Sequence, residues 1–331
     1  MIGARASLQV AIVGANFRSL DPECEVLAAA GVTIVDGCGL SPEDALVLCR
    51  DADAVISDYF DWSARAIGGL RRCRVICQYG AGLDQIDIPA ATAAGILVTH
   101  TPDYCVEELA EHTLALIFSV ARNIARYDRS VRAGVWDFNV AGPMYRLSGR
   151  TLGLIGFGRV ARSVARRAQA LGLRVVAADP FQDGIVMREC EVEPTSLERL
   201  LEQADIISLH AALTESTRGM LGPAEFRAVK PGVLLVNTAR GALIDQAALV
   251  DAIEAGRVAG AGLDVLEQEP PLTTERLLSL ENVTLTPHAG FLSQQSLLAV
   301  QHDAAEEVRR ALAGERPRFV VNEPPSAAGR C

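Results

Sequence analysis

Short apolar runs alternate with longer amphipathic stretches along nearly the whole chain. "LQVAIVG", "VTIVDG", "DAVIS" and "CRVICQYG" are rich in β-branched and aliphatic residues, and each predicts a strand. "VLAAAG" predicts the end of a helix at Gly31. From Val106 the apolar residues recur three or four apart: Val106, Leu109, Thr113, Leu116, Val120 and Ile124. That spacing predicts one long helix, with Glu107 and Glu108 at its positive end and enough length to bridge two domains. Tyr127 to Arg150 has weak periodicity and contains Gly134, Trp136, Gly142 and Pro143, which predicts an arm or loop. "TLGLIGFGRVARSVARRAQALGLRVVAADP" is the most regular passage. It predicts a strand into Gly156, then a helix with Val160, Val164, Ala168 and Leu171 on one face and Gly172 as its C-cap. A second strand then ends at Asp179. Beyond it, "TSLERLLEQA" opens with a capping-box pattern from Thr195 to Glu198. "DIISLH", "GVLLVNTARG", "VAGAGLDV" and "VTLTP" continue as strands. "DQAALVDAIEAG" predicts a helix capped by Asp245 and Gly256, and a last helix runs from about Ser293 to Gly314. The terminal "PPSAAGRC" reads as frayed. Strand and helix in alternation predict an α/β, doubly wound architecture.

Composition narrows what such a fold does. A chain of 331 residues, half of them apolar, supports two domains with substantial cores. The formal charge of -10 and the lack of a basic patch argue against a nucleic-acid partner. An acidic surface also means that an anionic ligand needs local help from arginine or a helix N-terminus. Lys230, in "AVKPG", is the only lysine, so Schiff-base chemistry is not expected. The eight cysteines form no C-x-x-C pair and read as reduced thiols; Cys77 and Cys105 are placed near a cleft, without a partner to activate them. No His/Cys spacing suggests a metal. The N-terminal apolar run is too short for a signal peptide, and no stretch approaches the length of a membrane span. The expectation is a soluble, cytoplasmic protein with no membrane partner.

Gly156-Phe157-Gly158-Arg159-Val160-Ala161 matches G-x-G-x-x-G/A between a strand and a helix. Gly156 allows the tight turn, Gly158 lets backbone approach a pyrophosphate, and Ala161 lets helix and strand pack closely. Arg159 and Val160 open the helix, whose free N–H groups suit phosphate. Asp179 ends the next strand about 20 residues on, the position that binds a ribose 2′-OH. It would repel a 2′-phosphate, and "PFQDG" after it offers no arginine. The cofactor expected is therefore NAD rather than NADP.

Hydride transfer to a carbonyl needs an acid/base, a group that tunes it, and a cation for the substrate. Candidates stand at strand ends: Arg240 in "NTARGALID", Glu269 in "DVLEQEPP" and His288 in "TLTPHAGF". Histidine suits the proton transfer, a carboxylate fixes its tautomer, and arginine offers a planar fork to a carboxylate. Taken singly, Arg240 reads as an ion-pair partner, Glu269 as a solvated charge and His288 as structural. His210 in "SLHAAL" reads as structural or near the cofactor. His100, His112 and His302 read as packing or surface residues.

Taken together, "QYGAGLDQIDIPAATAAGILVTHTPDYCVEELAEHTLAL", "GRTLGLIGFGRVARSVA", "LHAALTESTRGML", "LVNTARGALID", "AGLDVLEQEPP" and "TPHAGF" resemble the NAD-dependent D-isomer-specific 2-hydroxyacid dehydrogenase family, over nearly the whole chain. The resemblance lies closest to its phosphoglycerate dehydrogenase and C-terminal binding protein-like branch. It implies two Rossmann-like parallel-sheet domains with a cleft between them: a discontinuous substrate domain of residues 1–104 and 290–331, and an NAD domain of residues 105–289. It implies that Arg240 holds a 2-oxo acid, His288 moves the proton, Glu269 pairs with His288, and Asp264 meets the nicotinamide end. Thr238 and His210 join the cofactor side. Backbone N–H groups of Gly80, Ala81 and Gly82 would hold the substrate carboxylate. A homodimer would form through the long helix and the arm to Arg150.

Some positions depart from the family. Ser57, Asp58 and Tyr59 stand where phosphoglycerate dehydrogenases carry an arginine, and Asp58 would repel a phosphate. Tyr59 becomes a substrate-pocket candidate. Gln78 replaces a charged residue common in relatives, and Ala212 stands where relatives often have proline. Glu269 argues against the formate dehydrogenase branch, which pairs the histidine with glutamine. A small anionic 2-hydroxy or 2-oxo acid is thus the leading substrate. The alternatives are a phosphorus oxyanion or phosphonate substrate, and an NAD-gated dimeric corepressor-like scaffold.

Overall fold

The computed structural model describes residues 7–325; the frayed end expected at "PPSAAGRC" falls mostly outside them. The chain forms two compact units, one made of the residues up to Cys105 and those from Ser293, the other of Val106–Leu292.

The first unit runs β1 (Leu8–Val13), α1 (Asp21–Ala28), β2 (Val32–Gly37), α2 (Pro42–Cys49), β3 (Ala54–Ser57), α3 (Ala64–Gly68), β4 (Val75–Gln78), α4 (Ile88–Ala93) and β5 (Leu97–His100). Its five strands are parallel, in the order β2-β1-β3-β4-β5. Apolar clusters cover both faces of the sheet. Such double coverage is why β3 and β4 read as continuous apolar runs. The C-terminal helix returns to this unit, where it packs against α1 and β4.

The second unit opens with α5 (Val106–Ala121) and α6 (Ile124–Arg132). The long helix expected from Val106 is therefore two helices. Asn123 lies between them in the left-handed region, at φ 51°, and breaks the hydrogen-bond ladder. For the same reason the expected arm begins later than Tyr127, which lies within α6. There follow β6 (Thr151–Ile155), α7 (Arg159–Ala170), β7 (Arg174–Ala178), α8 (Gly184–Glu189), β8 (Glu193–Pro194), α9 (Leu197–Gln203), β9 (Ile206–Leu209), α10 (Pro223–Ala228), β10 (Val233–Asn237), α11 (Gln246–Glu254), β11 (Val258–Leu263) and β12 (Val283–Leu285). The last helix, α12 (Gln294–Ala313), belongs to the first unit; Ser293 caps its start and Gly314 its end. The cap of α9 is Ser196, whose side chain accepts from the Arg199 N–H; it is not Thr195 as the sequence pattern suggested.

The seven strands of the second unit are parallel, in the order β12-β11-β10-β9-β6-β7-β8. Strand order reverses between β6 and β9, where a doubly wound sheet opens its crevice. Small residues let helices lie close on this sheet. A Cβ on Gly153 would come within 2.7 Å of Leu200 on α9, and one on Gly262 within 3.0 Å of Leu116 on α5. Among the described residues, no helix is long and apolar enough to cross a membrane.

Candidate active site

Register assembles the site. Ile155 pairs with Ala178 and Leu209, Leu209 with Asn237, Asn237 with Leu263, and Leu263 with Leu285. The strands therefore end at one level. The residues just beyond them, Gly156, Asp179, His210, Thr238, Asp264 and Thr286, emerge along one edge. Sequence separations of up to 130 residues collapse into a single row at the carboxyl ends of the strands.

At the switch point, Gly156 has φ +88°, and a Cβ there would lie 2.8 Å from the backbone of His210 and Ala211. Only glycine fits that approach. Gly158 is the N-cap of α7, and a Cβ on it would meet nothing within 4 Å. Its missing side chain leaves open space in front of Arg159 and Val160, where the first turn of the helix presents unsatisfied N–H groups. A pyrophosphate fits this cradle. Both Asp179 oxygens accept backbone N–H groups, from Phe157 and Phe181, each at 2.8 Å, so this carboxylate also ties the glycine turn to the loop after β7. That loop contains no arginine, yet Arg162 reaches it from α7 and donates to Gln182 Oε1 at 2.8 Å. Reading the loop alone missed this helix-borne cation.

His210 lies just past β9 rather than within it, and Nε2 is 2.9 Å from Ser208 Oγ. Burial lowers its pKa to about 4, so the ring is neutral near pH 7. Thr238 is buried, with Oγ1 2.9 Å from Thr113 Oγ1.

The turn after β10 is held by Asn237, fully buried, which accepts from the Ala239 N–H and donates to the Arg240 carbonyl. Arg240 is half-buried, and its guanidinium also donates to the Ala239 carbonyl. Gly241 follows because the loop after β11 lies directly on it. A Cβ there would fall 1.9 Å from the carbonyl carbon of Leu266. The sequence reading did not single out Asn237 or Gly241, although both flank Arg240.

Across that contact, Glu269 accepts the Leu266 N–H at 2.9 Å, and its other oxygen lies 2.7 Å from His288 Nδ1. Burial works to raise the Glu269 pKa. The hydrogen bond and charge of His288, the Leu266 N–H and the Arg240 charge outweigh it, and the net shift is downward. Arg240, Glu269 and His288 thus form one electrostatic group on the ends of three adjacent strands. His288 sits at φ +52°, a left-handed conformation uncommon for a side chain of its size.

Asp264, 2% exposed, organises the turn that bears His288. Its carbonyl accepts the His288 N–H at 2.8 Å. Its carboxylate accepts from Thr286 Oγ1 at 2.5 Å, Ala289 N–H at 2.9 Å and Gly290 N–H at 2.8 Å. His112 Nε2 is 3.3 Å away. Burial would raise this carboxyl, but these four donors hold it at about 2. His112, expected as a packing or surface residue, is half-buried against Gly290 and also hydrogen-bonds Thr286 at 2.9 Å.

In the first unit, the Tyr79–Gly82 segment follows β4. The Gly80 N–H donates to Thr101 Oγ1 at 2.7 Å, so Gly80 is not a spare donor as the sequence suggested. Among the described residues, the N–H groups of Ala81 and Gly82 have no partner. Tyr59 is half exposed at φ +46°. Ser57 and Gln78 are buried in the sheet, where Ser57 accepts from Trp62 Nε1 at 2.8 Å. Cys77 and Cys105 are buried, and burial pushes the Cys77 thiol up to about 12. Among the described residues, no group of His, Cys, Asp and Glu could hold a metal.

Residues 114–290 match the family model described as D-isomer specific 2-hydroxyacid dehydrogenase, NAD binding domain. A glyoxylate reductase of Korarchaeum cryptofilum is 40% identical over 278 residues, covering 83% of this chain and 84% of that protein. A D-3-phosphoglycerate dehydrogenase of Archaeoglobus fulgidus is 40% identical over 89% of this chain, which spans 56% of its length. The chain spans about half of a chloroplastic D-3-phosphoglycerate dehydrogenase of Arabidopsis thaliana. Among solved structures, a glyoxylate reductase from Paecilomyes thermophila is 31% identical with a TM-score of 0.88, covering 96% of this chain and 99% of that one. D-lactate dehydrogenase from Aquifex aeolicus, complexed with NAD and lactic acid, is 27% identical with a TM-score of 0.85, covering 96% and 100%. The register that lines up the glycine turn, Asp179 and the Arg–Glu–His group, together with these matches, makes this chain an NAD-dependent oxidoreductase of the D-isomer-specific 2-hydroxyacid dehydrogenase family.

Proposed function

We propose that the protein interconverts a small 2-oxo acid and its D-2-hydroxy acid, with His288 as acid/base, Glu269 as its partner and Arg240 as the substrate clamp. The observation that carries this reading is the 2.7 Å pair between His288 Nδ1 and Glu269 Oε2, with the Arg240 charge beside it. NAD, when bound, supplies or takes the hydride. Gly156, Gly158, Arg159 and Val160 would hold its pyrophosphate, Asp179 its ribose, and His210, Thr238 and Asp264 the side toward the nicotinamide.

Glu269 holds the His288 ring through Nδ1, and Nε2 is the nitrogen proposed to face the substrate oxygen. In the reductive direction the His288 imidazole gives its proton to the substrate oxygen as hydride arrives at C2. Arg240 offers planar donors to the substrate carboxylate. A neutral His210 adds no competing charge. Asp58, whose carboxylate accepts from the Tyr59 N–H, supports a small unphosphorylated acid over a phosphorylated one. The glyoxylate reductases among the relatives agree with that size.

A homodimer through the second unit is part of the same reading. Trp136 is 90% and Phe138 80% exposed, and Tyr145 and Ile124 are exposed nearby in sequence. A cavity of about 340 Å³ lined by Val120, Met144, Tyr145 and Leu147 belongs to the same region. Apolar area of this kind fits burial by a second copy.

The test is NADH oxidation against glyoxylate, hydroxypyruvate, pyruvate, bulkier 2-oxo acids and 3-phosphohydroxypyruvate, with NAD reduction by phosphite alongside. Turnover of a small 2-oxo acid is expected, reduced roughly 100- to 10,000-fold in His288→Ala while NADH still binds. Undiminished turnover in that variant would remove His288 from the proton transfer. NADH binding with no turnover across the panel would favour a scaffold role.

A further inference from the structure

His288 stands in a strained turn, and the restraint on that turn is traceable beyond the strand ends to a helix. Three successive N–H groups, of His288, Ala289 and Gly290, converge on Asp264. Thr286, at the start of the turn, donates its N–H to the Leu263 carbonyl at 3.0 Å and its hydroxyl to Asp264 Oδ1 at 2.5 Å. A threonine hydroxyl has one proton. With that proton given to an ionised carboxylate, the 2.9 Å contact between His112 Nε2 and Thr286 Oγ1 requires the proton to sit on His112 Nε2. His112 Nε2–H donates to Thr286, Thr286 O–H donates to Asp264, and Asp264 also accepts the N–H groups of His288, Ala289 and Gly290.

Packing supports the same connection. A Cβ on Gly290 would lie 2.8 Å from Asp264 Oδ2, 3.0 Å from Leu109 Cδ2 and 3.2 Å from His112 Cδ2. The turn is therefore pressed against the first part of α5, with no room for a side chain. Such crowding is a feature of a site whose geometry is fixed by its surroundings.

We propose that His112 is a positioning residue for the reaction: by fixing the Thr286 hydroxyl on Asp264, it holds the turn that aims the His288 imidazole at Glu269 and the substrate. This rests on the reading of His288 as acid/base, and the experiment separates the two.

His112→Ala, His112→Gln, Thr286→Val and the double variant His112→Ala/Thr286→Val are compared with His288→Ala, using glyoxylate and NADH. His112→Ala is expected to lower kcat about tenfold, the scale of one buried hydrogen bond. KM for glyoxylate and NADH affinity by fluorescence titration should stay within about twofold of the parent. His112→Gln, whose amide can donate from nearly the same place, should recover kcat to within about threefold. Thr286→Val should match His112→Ala, and the double variant should be no worse than either, because both break one chain. Wild-type kcat in His112→Ala would overturn the proposal. So would a His112→Gln that melts like the parent yet is as slow as alanine, or fully multiplicative losses in the double variant. If His288→Ala keeps its turnover, the acid/base reading fails first. If His288→Ala is inactive and His112→Ala is not slowed, only the positioning role fails.

Discussion

Replacing Asp264 with asparagine tests the turn that bears His288 at its most heavily bonded point. The carboxylate is nearly fully buried and receives hydrogen bonds from Thr286, Ala289 and Gly290, with His112 beside it. Its pKa falls from 3.8 to about 2, despite burial that would raise it. At about 1.4 kcal/mol per unit, the fold prefers the ionised side chain by about 2 kcal/mol. Asparagine replaces one acceptor with a donor that faces N–H or O–H groups, so the loss should reach at least about 2 kcal/mol. For a unit of this size that is a drop of about 4–8 °C in melting temperature.

The pH dependence carries the sign. A carboxyl whose folded pKa lies below its unfolded value stabilises the fold fully above pH about 5, and this is lost as pH falls through about 2. Between pH 7 and pH 3 the stability gap between parent and Asp264→Asn should narrow by about 1 kcal/mol. Urea unfolding followed by circular dichroism at pH 7, 5 and 3 measures it. A gap below about 0.5 kcal/mol at pH 7, or one that stays constant down to pH 3, would refute the reasoning.

Other positions give independent checks. Gly241→Ala should lose about 1–3 kcal/mol and most of its kcat/KM, because its Cβ would strike the Leu266 backbone, whose N–H is bonded to Glu269; a melt and steady-state rates test both effects. Asp179→Ala should narrow the preference for NAD over NADP, helped by Arg162 at the same loop, and an unchanged ratio of kcat/KM values would take Asp179 out of the ribose role. His210, lowered to about 4 by burial, is neutral in the fold where the unfolded chain is protonated. Stability should therefore decline as pH falls from about 6.5 to about 4, and His210→Asn should flatten that part of the curve of urea midpoint against pH. Trp136→Ser with Phe138→Ser should shift light-scattering mass toward a monomer if the exposed arm is the dimer face.

Local chemistry made much of the molecule legible. Strands buried on both faces leave continuous aliphatic runs, so β1, β3, β6, β9 and β10 stand out in the sequence. Gly156 announces itself because no other residue tolerates that turn and that close approach to the His210 backbone. Helix ends were less certain where a cap sits one residue from its apparent motif, as at Ser196, or where a left-handed residue such as Asn123 stops a helix without a glycine or proline.

What the sequence could not determine is held by contacts between residues far apart along it. The level at which six strands end is set by their register, and only that places Arg240, Glu269 and His288 on adjacent strand ends. His112 looks like one more residue on an amphipathic helix, because its meaning lies in Thr286, 174 positions away. Gly80 looks like a donor to substrate until Thr101 is seen to occupy its N–H. Periodicity and motif report the partners a residue has along its own element. Hydrogen bonds across the sheet and between helix and turn need the fold first, and it is those bonds that decide which polar groups are left for chemistry.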